Sequence, residues 1–220
     1  MQNNSWLQPL VWMDYPLVAA LPDQDTIWFR PLVWMDYRLA LLFTVIIPLT
    51  LLIWAVVQQS AAIQRLLIIY WRVASLLAIT VYMMIGSLPI SFVSGIMARI
   101  LIPVSLWFWA DINEEINDLP QRELKLAVTS WRWAITIYSA IGILAQIPFL
   151  GCAAAKQVID KPFCRVWLEP TWLYREFFHP RLTTQFLSFI GIFGLIVYVL
   201  YLSYFIFVRL GKQGRSAMEQ

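Results

Sequence analysis

The stretch that decides the fold is residues 39–57, L-A-L-L-F-T-V-I-I-P-L-T-L-L-I-W-A-V-V, which carries no charged side chain. A helix that crosses the hydrocarbon core of a bilayer needs about 20 mostly apolar residues, and this run is just long enough. The whole chain agrees, since 60% of its 220 residues are hydrophobic, 13% are charged and the mean hydropathy is +0.68. A soluble domain of this composition would expose too much apolar surface. The sequence therefore predicts an integral membrane protein.

Working outward from this first span, we predict an all-α polytopic bundle of about five transmembrane helices. The other predicted spans cover residues 73–93, 94–110, 133–155 and 182–208. The third is ambiguous because it contains Gly95, Arg99 and Pro103. It either crosses as a kinked helix or dips into the membrane as a re-entrant segment, which would leave four spans. Lys and Arg divide equally between the two sides of the five-span topology, so the positive-inside rule gives no orientation.

The N-terminal segment, residues 1–37, contains an internal repeat. The sequence P-L-V-W-M-D-Y occurs at 9–15 and again at 31–37. Only the second copy continues into the first span, because Pro16 stops a helix after the first copy. The repeat is either a doubled anchoring or docking motif or a local duplication of which only the second copy matters.

We expect segment 1–37 to lie along the membrane surface with its Trp and Tyr rings among the headgroups. Residues 38–208 would form the transmembrane domain, and residues 209–220 a basic tail. The second copy and the arginine after it supply the residues of the predicted interfacial motif, which are Pro31, Trp34, Asp36, Tyr37 and Arg38.

A short polar helix is predicted at 111–119, between the third and fourth spans. Asp111, Glu114, Glu115 and Asp118 fall at i, i+3, i+4 and i+7, which places four carboxylates on one helix face. Asp111 is also placed to cap this helix. The face is either an ordinary solvated surface or a site where a basic patch of a partner docks. A Ca²⁺ site is disfavoured because that ion needs oxygens converging from a tight loop.

The predicted spans contain no Asp or Glu, whereas transporters and proton pumps place a carboxylate at membrane depth. Arg99 is the one charge expected within the membrane. It either pairs with an acid or a lipid headgroup, or snorkels to the interface, and we favour snorkelling. The chain has one histidine, His179, and no P-loop, G-x-S-x-G or G-x-G-x-x-G motif. We therefore expect no enzyme activity, no metal and no cofactor, while the aromatic last span suits pigment or lipid contact.

The two cysteines, Cys152 and Cys164, flank the predicted loop 156–181. They form a disulfide if the loop faces an oxidising compartment. Two separate thiols are the alternative, which we favour. The net charge of +3 without a Lys/Arg run gives no reason to expect a nucleic-acid partner. The expected partners are membrane lipids and a larger membrane protein complex.

Three stretches together resemble a known family. They are P-L-V-W-M-D-Y-R-L-A at 31–40, W-F-W-A-D-I-N-E-E-I-N-D-L at 107–119, and His179-Pro180. They resemble a small polytopic membrane protein family of cyanobacteria and plastids that carries only a domain-of-unknown-function label. The resemblance extends from about Trp28 to the last span and brings no catalytic residues. It implies the thylakoid or plasma membrane of a photosynthetic cell.

From this resemblance and the features above we expect a non-catalytic accessory or assembly factor, or a small subunit, of a photosynthetic or respiratory complex. A small transporter or channel that uses the Pro-kinked helices is the alternative. The third hypothesis is an enzyme that acts on a lipid or pigment at the interface, with the carboxylate face of 111–119 as its acid–base groups. It ranks last because general acid–base catalysis needs a group of suitable pKa and a positioned substrate, and solvated acids show neither.

Overall fold

The computed structural model describes residues 27–120 and 122–210, and these contain no β-strand. The helices are α1 (Arg30–Val57), α2 (Ala61–Ile85), α3 (Ile90–Trp107), α4 (Ala110–Asp118), α5 (Glu123–Gln146), α6 (Lys156–Ile159), α7 (Pro162–Arg165), α8 (Glu169–Phe178) and α9 (Thr184–Tyr204). By length and composition, α1, α2, α3, α5 and α9 are able to cross a membrane. The predicted all-α bundle with five spans is confirmed. The third predicted span is one continuous helix of 18 residues, α3, which is long enough to cross.

Several helix boundaries differ from the prediction, among them the start of α5 at Glu123 rather than at residue 133. The first helix begins at Arg30 rather than at Leu39, so the second repeat copy forms its first turns and is not a separate surface segment. The second helix begins at Ala61 rather than at Val73, directly after Gln59 turns the chain with a φ of 53°. It ends at Ile85, where Ser87 with a φ of 51° turns the chain into α3. The first repeat copy and the tail 211–220 lie outside the described residues.

Pro48 lies inside α1, and the helix continues across it. A proline has no backbone N–H, so the carbonyl of Thr44 loses its regular helical partner, and α1 widens into a π-helical stretch at Leu42–Ile46. Tyr70 of α2 donates its hydroxyl to this carbonyl at 2.7 Å. Trp131 of α5 donates its indole N–H to the neighbouring carbonyl of Phe43 at 2.9 Å. The adjacent helices thus satisfy backbone groups that the bilayer cannot.

The central helix of the bundle is α2, which packs against α3, α9 and the second half of α1. Gly191 allows α9 to approach closely, since a Cβ there would lie 2.9 Å from the backbone nitrogen of Met83. At the α4 end of the bundle, a buried apolar cluster fills the space between the helices. Ile112 and Ile116, one turn apart on α4, are buried in this cluster and fasten α4 across that end.

The opposite end is closed by residues 147–178, which we call the disulfide cap. It consists of the 3₁₀ turn Ile147–Ala153 and helices α6, α7 and α8, so the predicted loop 156–181 is largely helical. Cys152 and Cys164 are joined by a disulfide, with their Cα atoms 5.9 Å apart. The structure therefore contains the bridge and not the separate thiols that we favoured.

Candidate functional site

An ion pair between Asp36 and Arg99 lies inside the bundle. Arg99 Nη2 on α3 donates to Asp36 Oδ2 on α1 at 2.5 Å. Tyr138 of α5 donates its hydroxyl to Asp36 Oδ1 at 2.7 Å, and its ring centroid lies 5.4 Å from the Arg99 guanidinium carbon. The side chains of Arg99 and Asp36 are only 11% and 24% exposed. One polar cluster therefore joins three spanning helices.

Gly142 of α5 makes room for the arginine. A Cβ at this position would collide with Arg99 Nη1, which is buried and has no hydrogen-bond partner among the described residues. The close approach of α3 and α5 at this level thus depends on the missing side chain of Gly142.

Two expectations about charge in the membrane are wrong. Asp36 lies inside the first spanning helix, because that helix begins at Arg30. Asp36 is about 9 Å along the helix from that end at 1.5 Å per residue. Arg99 does not snorkel to the interface, since it turns towards Asp36 in the bundle. The arginine thus follows the alternative in which it pairs with an acid.

The predicted interfacial motif makes contacts within the protein. Arg30 Nε and Trp34 Nε1 donate to Glu169 Oε2 of α8 at 2.9 and 3.2 Å, and Glu169 is buried. Pro31 occupies the first turn of α1 and Arg38 the last turn of its first α-helical segment. Within the motif, Trp34 therefore contacts the disulfide cap through Glu169, while Asp36 contacts α3 through Arg99 and α5 through Tyr138.

A cavity of about 440 Å³ lies beside the ion pair. It separates the first half of α1 from α2. Gly95 and Arg99 of α3 form its inner wall, and Gln146, Trp167 and Tyr174 line the end towards the disulfide cap. Most of the remaining lining is apolar, with the side chains Val33, Ala40, Leu41, Val45, Ala74, Leu77, Ala78, Val81 and Met84. Tyr37 of the motif also lines it. A mainly apolar cavity of this size with a few convergent polar groups has the usual character of a small-molecule site.

An aromatic and polar cluster stands beside this cavity at the disulfide cap. The Tyr82 hydroxyl lies 3.1 Å from His179 Nε2, and the Tyr174 ring packs edge-on against both. Burial raises the pKa of Tyr174 to about 12, with a smaller contribution from its hydrogen bond to Tyr82. His179, the one histidine of the chain, is held by tyrosine contacts.

The four carboxylates predicted to form one docking face are divided by the fold. Asp111 and Glu115 are half-buried, and Glu115 lies 3.5 Å from Arg65 of α2. Glu114 and Asp118 are exposed and form the outward acidic surface of α4. The predicted capping by Asp111 is wrong, because the helix begins at Ala110 and the capping position belongs to the residue before it.

Arg132 is a buried charge that the sequence analysis did not single out. It is 4% exposed on α5. Its Nη2 donates to the carbonyl of Leu106 at 2.8 Å and to Asn113 Oδ1 at 2.7 Å, and its guanidinium lies 4.1 Å from the ring centroid of Trp107. Arg132 therefore connects α5 to the junction of α3 and α4. Arg132 follows the buried Val128 by four residues and so lies on the apolar face of α5. This spacing is the feature of the sequence that could have indicated a buried arginine.

The last spanning helix, α9, lies at the edge of the bundle. In its most apolar window 11% of the residues are buried, compared with 22% for α1 and 33–44% for the other three spanning helices. Leu187, Gly191 and Tyr198 are its buried residues, whereas Phe189 and Phe193 are 63% and 60% exposed. Its outer face therefore presents aromatic side chains to the surroundings of the protein.

Metal ligands do not converge in the part of the chain that the structure describes, where no three His, Cys, Asp or Glu side chains form a group able to hold an ion. In comparisons with known proteins, a family model described as "Protein of unknown function (DUF3177)" matches residues 30–218. The match begins at the first residue of α1 and leaves out the first repeat copy. No curated protein and no solved structure matches the chain.

Proposed function

Since the chain belongs to the DUF3177 family of proteins of unknown function, we propose a function from the arrangement of its own residues. The protein is a non-catalytic accessory or assembly factor, or a small subunit, of a larger membrane protein complex. We propose the thylakoid, or the plasma membrane, of a cyanobacterium or plastid as its location, and a photosynthetic or respiratory complex as its partner. This location and this partner rest on the resemblance of the three sequence stretches to a family of photosynthetic cells.

The exposed aromatic face of α9 is the observation that carries this proposal. Among the spanning helices, α9 has the smallest buried share and packs mainly on α2. Helices associate in a membrane through close packing, because lipid offers no hydrophobic driving force between them. Aromatic rings supply a large contact area per side chain. The face around Phe189 and Phe193 is therefore suited to contact a helix of a partner.

The closed ion pair supports a structural role for the charges in the membrane. Asp36 and Arg99 neutralise each other, and Tyr138 occupies the second carboxylate oxygen of Asp36. A transport or acid–base site needs a group that changes its charge or its partner. In this cluster Arg99 and Tyr138 engage the two carboxylate oxygens of Asp36, which favours a rigid scaffold over a catalyst.

The test is co-purification of the tagged full-length protein from native membranes in mild detergent. The double variant Phe189→Ala/Phe193→Ala removes the aromatic face of α9. The matched control, Ile137→Ala/Ile141→Ala, removes side chains on α5 that are 56% and 61% exposed. We expect the partner proteins to be lost from the α9 variant and retained by the control. The proposal fails if the α9 variant keeps its partners, or if the wild-type protein has none.

A small transporter or channel is the second candidate, favoured by the cavity next to Asp36 and Arg99. It requires a water-filled path through the α4 end of the bundle, where the buried apolar cluster lies. A cysteine at Leu66, which is 0% exposed in that cluster, would then react with a water-soluble thiol reagent. The accessory-factor proposal predicts no reaction at Leu66, while a cysteine at exposed Glu114 is labelled as the positive control.

A further inference from the structure

We propose that the cavity between α1 and α2 binds one neutral lipid whose head group carries hydroxyl groups, and that this lipid enters sideways from the bilayer. This inference does not depend on the proposed accessory role. It rests on the opening of the cavity, on two unpartnered polar atoms at one end of it, and on the charge balance of its wall.

The cavity opens on the surface that faces acyl chains. Leu41 and Val45 of α1 line it and are 40% and 39% exposed. Ser75 and Ala78 of α2 line its opposite edge and are also exposed. All four lie within spanning helices, so the molecules that meet this opening are those dissolved in the membrane. At about 440 Å³, the cavity is within the range of roughly 300–1,000 Å³ that is usual for ligand sites.

Four residues that line the cavity have a buried polar atom with no hydrogen-bond partner among the described residues, namely Trp71, Arg99, Gln146 and Trp167, and the last two define a head-group end near the disulfide cap. Gln146 is 2% exposed, and its Oε1 has no hydrogen-bond partner among the described residues. Trp167 Nε1, on the cap, is likewise buried without a partner there. Buried polar groups in proteins nearly always have partners, because an unmade hydrogen bond is costly. Here an acceptor and a donor line the same cavity.

Hydroxyl groups suit both atoms, since a hydroxyl donates to a carbonyl oxygen such as that of Gln146 and accepts from an indole N–H such as that of Trp167. Gly95 keeps this end open, because a Cβ there would lie 3.3 Å from Gln146 Nε2. Tyr82 and Tyr174 line the same end of the cavity and add hydroxyl groups. Tyrosines of this kind commonly sit at headgroup level, which is where a lipid head is expected.

The charge of the cavity wall selects a neutral head over an anionic one. Arg99 is the cation in the lining and Asp36 is the anion, and they are paired. An anionic phosphate would need an additional cation to offset its desolvation. The rest of the lining, which extends along α1 and α2 to the opening, is mostly apolar apart from Thr44, Trp71, Ser75 and Thr80, and accepts an acyl or isoprenoid chain. Glycerides and quinols share this chemistry.

The experiment uses the delipidated full-length protein in detergent, with bound lipid counted by native mass spectrometry. The probes are dioleoylglycerol, a short-chain benzoquinol and, as the anionic comparison, dioleoylphosphatidylglycerol. We expect one neutral molecule per protein, and whichever neutral probe binds identifies the source as glyceride or quinol. Gln146→Leu should weaken its binding about tenfold, which corresponds to one lost hydrogen bond. Gln157→Leu, at an exposed glutamine of α6, is the matched control and should bind as the wild type does.

A second variant keeps the test decisive if Gln146→Leu does not fold. Ala78→Phe places a ring at the edge of the opening, outside the buried core, where it obstructs entry, and should abolish binding of the neutral probe. Trp167→Phe should weaken binding as Gln146→Leu does, with the 80% exposed Trp28→Phe as its control. The proposal is overturned if neither neutral probe binds, if the anionic lipid is preferred, or if Ala78→Phe leaves binding unchanged.

Discussion

Replacing Arg99 by leucine tests the role of the intramembrane ion pair. The substitution leaves the Asp36 carboxylate in the bundle without its cation. Loss of one partner of a buried ion pair typically costs about 3–5 kcal/mol. Asp36 retains the hydrogen bond from Tyr138 and is 24% exposed, so we expect the lower end, about 3 kcal/mol. For a protein of this size each kcal/mol lowers Tm by about 2–4 °C, which gives a decrease of about 6–12 °C.

The assay is thermal unfolding in detergent, followed by fluorescence-detected size exclusion of a tagged protein. Asp36→Leu should lower Tm by a similar amount, because it strands the Arg99 guanidinium. The double variant Asp36→Leu/Arg99→Leu removes both charges and should recover part of the loss, since contacting residues are not additive. Arg181→Leu, at an exposed position outside the spans, is the control. Wild-type Tm in both single variants, or additive losses in the double variant, would refute this account of the pair.

The other predictions concern the proline contact and the disulfide cap. Tyr70→Phe removes the donor to the Thr44 carbonyl and should cost about 1–3 kcal/mol, measured as a lower Tm, whereas exposed Tyr201→Phe should not change it. Cys152→Ser opens a disulfide of sequence separation 12, and should cost about 3 kcal/mol from the loop closed; a wild-type Tm would contradict this. Because disulfides persist in oxidising compartments, a membrane-impermeant reductant should expose the two thiols only from the oxidising side of the membrane. Glu169→Gln weakens the attachment of the cap to α1, so limited proteolysis should cut within 156–181 sooner, and an unchanged cleavage rate would count against that attachment.

The spans were predictable because long apolar runs have few folded alternatives in a chain this hydrophobic. The start of α1 was not predicted, because Asp36 and Arg38 lower the local hydropathy and 31–37 was interpreted as a surface motif. Pro31 was the overlooked signal, since proline favours the first turn of a helix. Arg99, 63 residues away, and Tyr138 stabilise the charge of Asp36 in the span.

The candidate site was less predictable than the fold because it also depends on contacts between residues that are far apart in the sequence. The cavity depends on the gap between α1 and α2, and the position of Gln146 within it depends on the approach of α5 to α3 at Gly95. Hydrophobic periodicity predicts which face of a helix is buried, but it does not predict which other helix packs against that face. The acidic residues of α4 show the same limitation. Their helical spacing was predicted, but the ion pair between Arg65 of α2 and Glu115 could not be inferred from that spacing.

The measurement that tests the accessory-factor proposal most directly is the size and protein content of the native particle. The tagged protein is extracted gently from its own membrane, separated by size, and each peak is examined by absorption and by mass spectrometry. The proposal predicts that the 25.6 kDa chain migrates with a much larger photosynthetic or respiratory complex. A small, colourless particle that contains only this chain would contradict it.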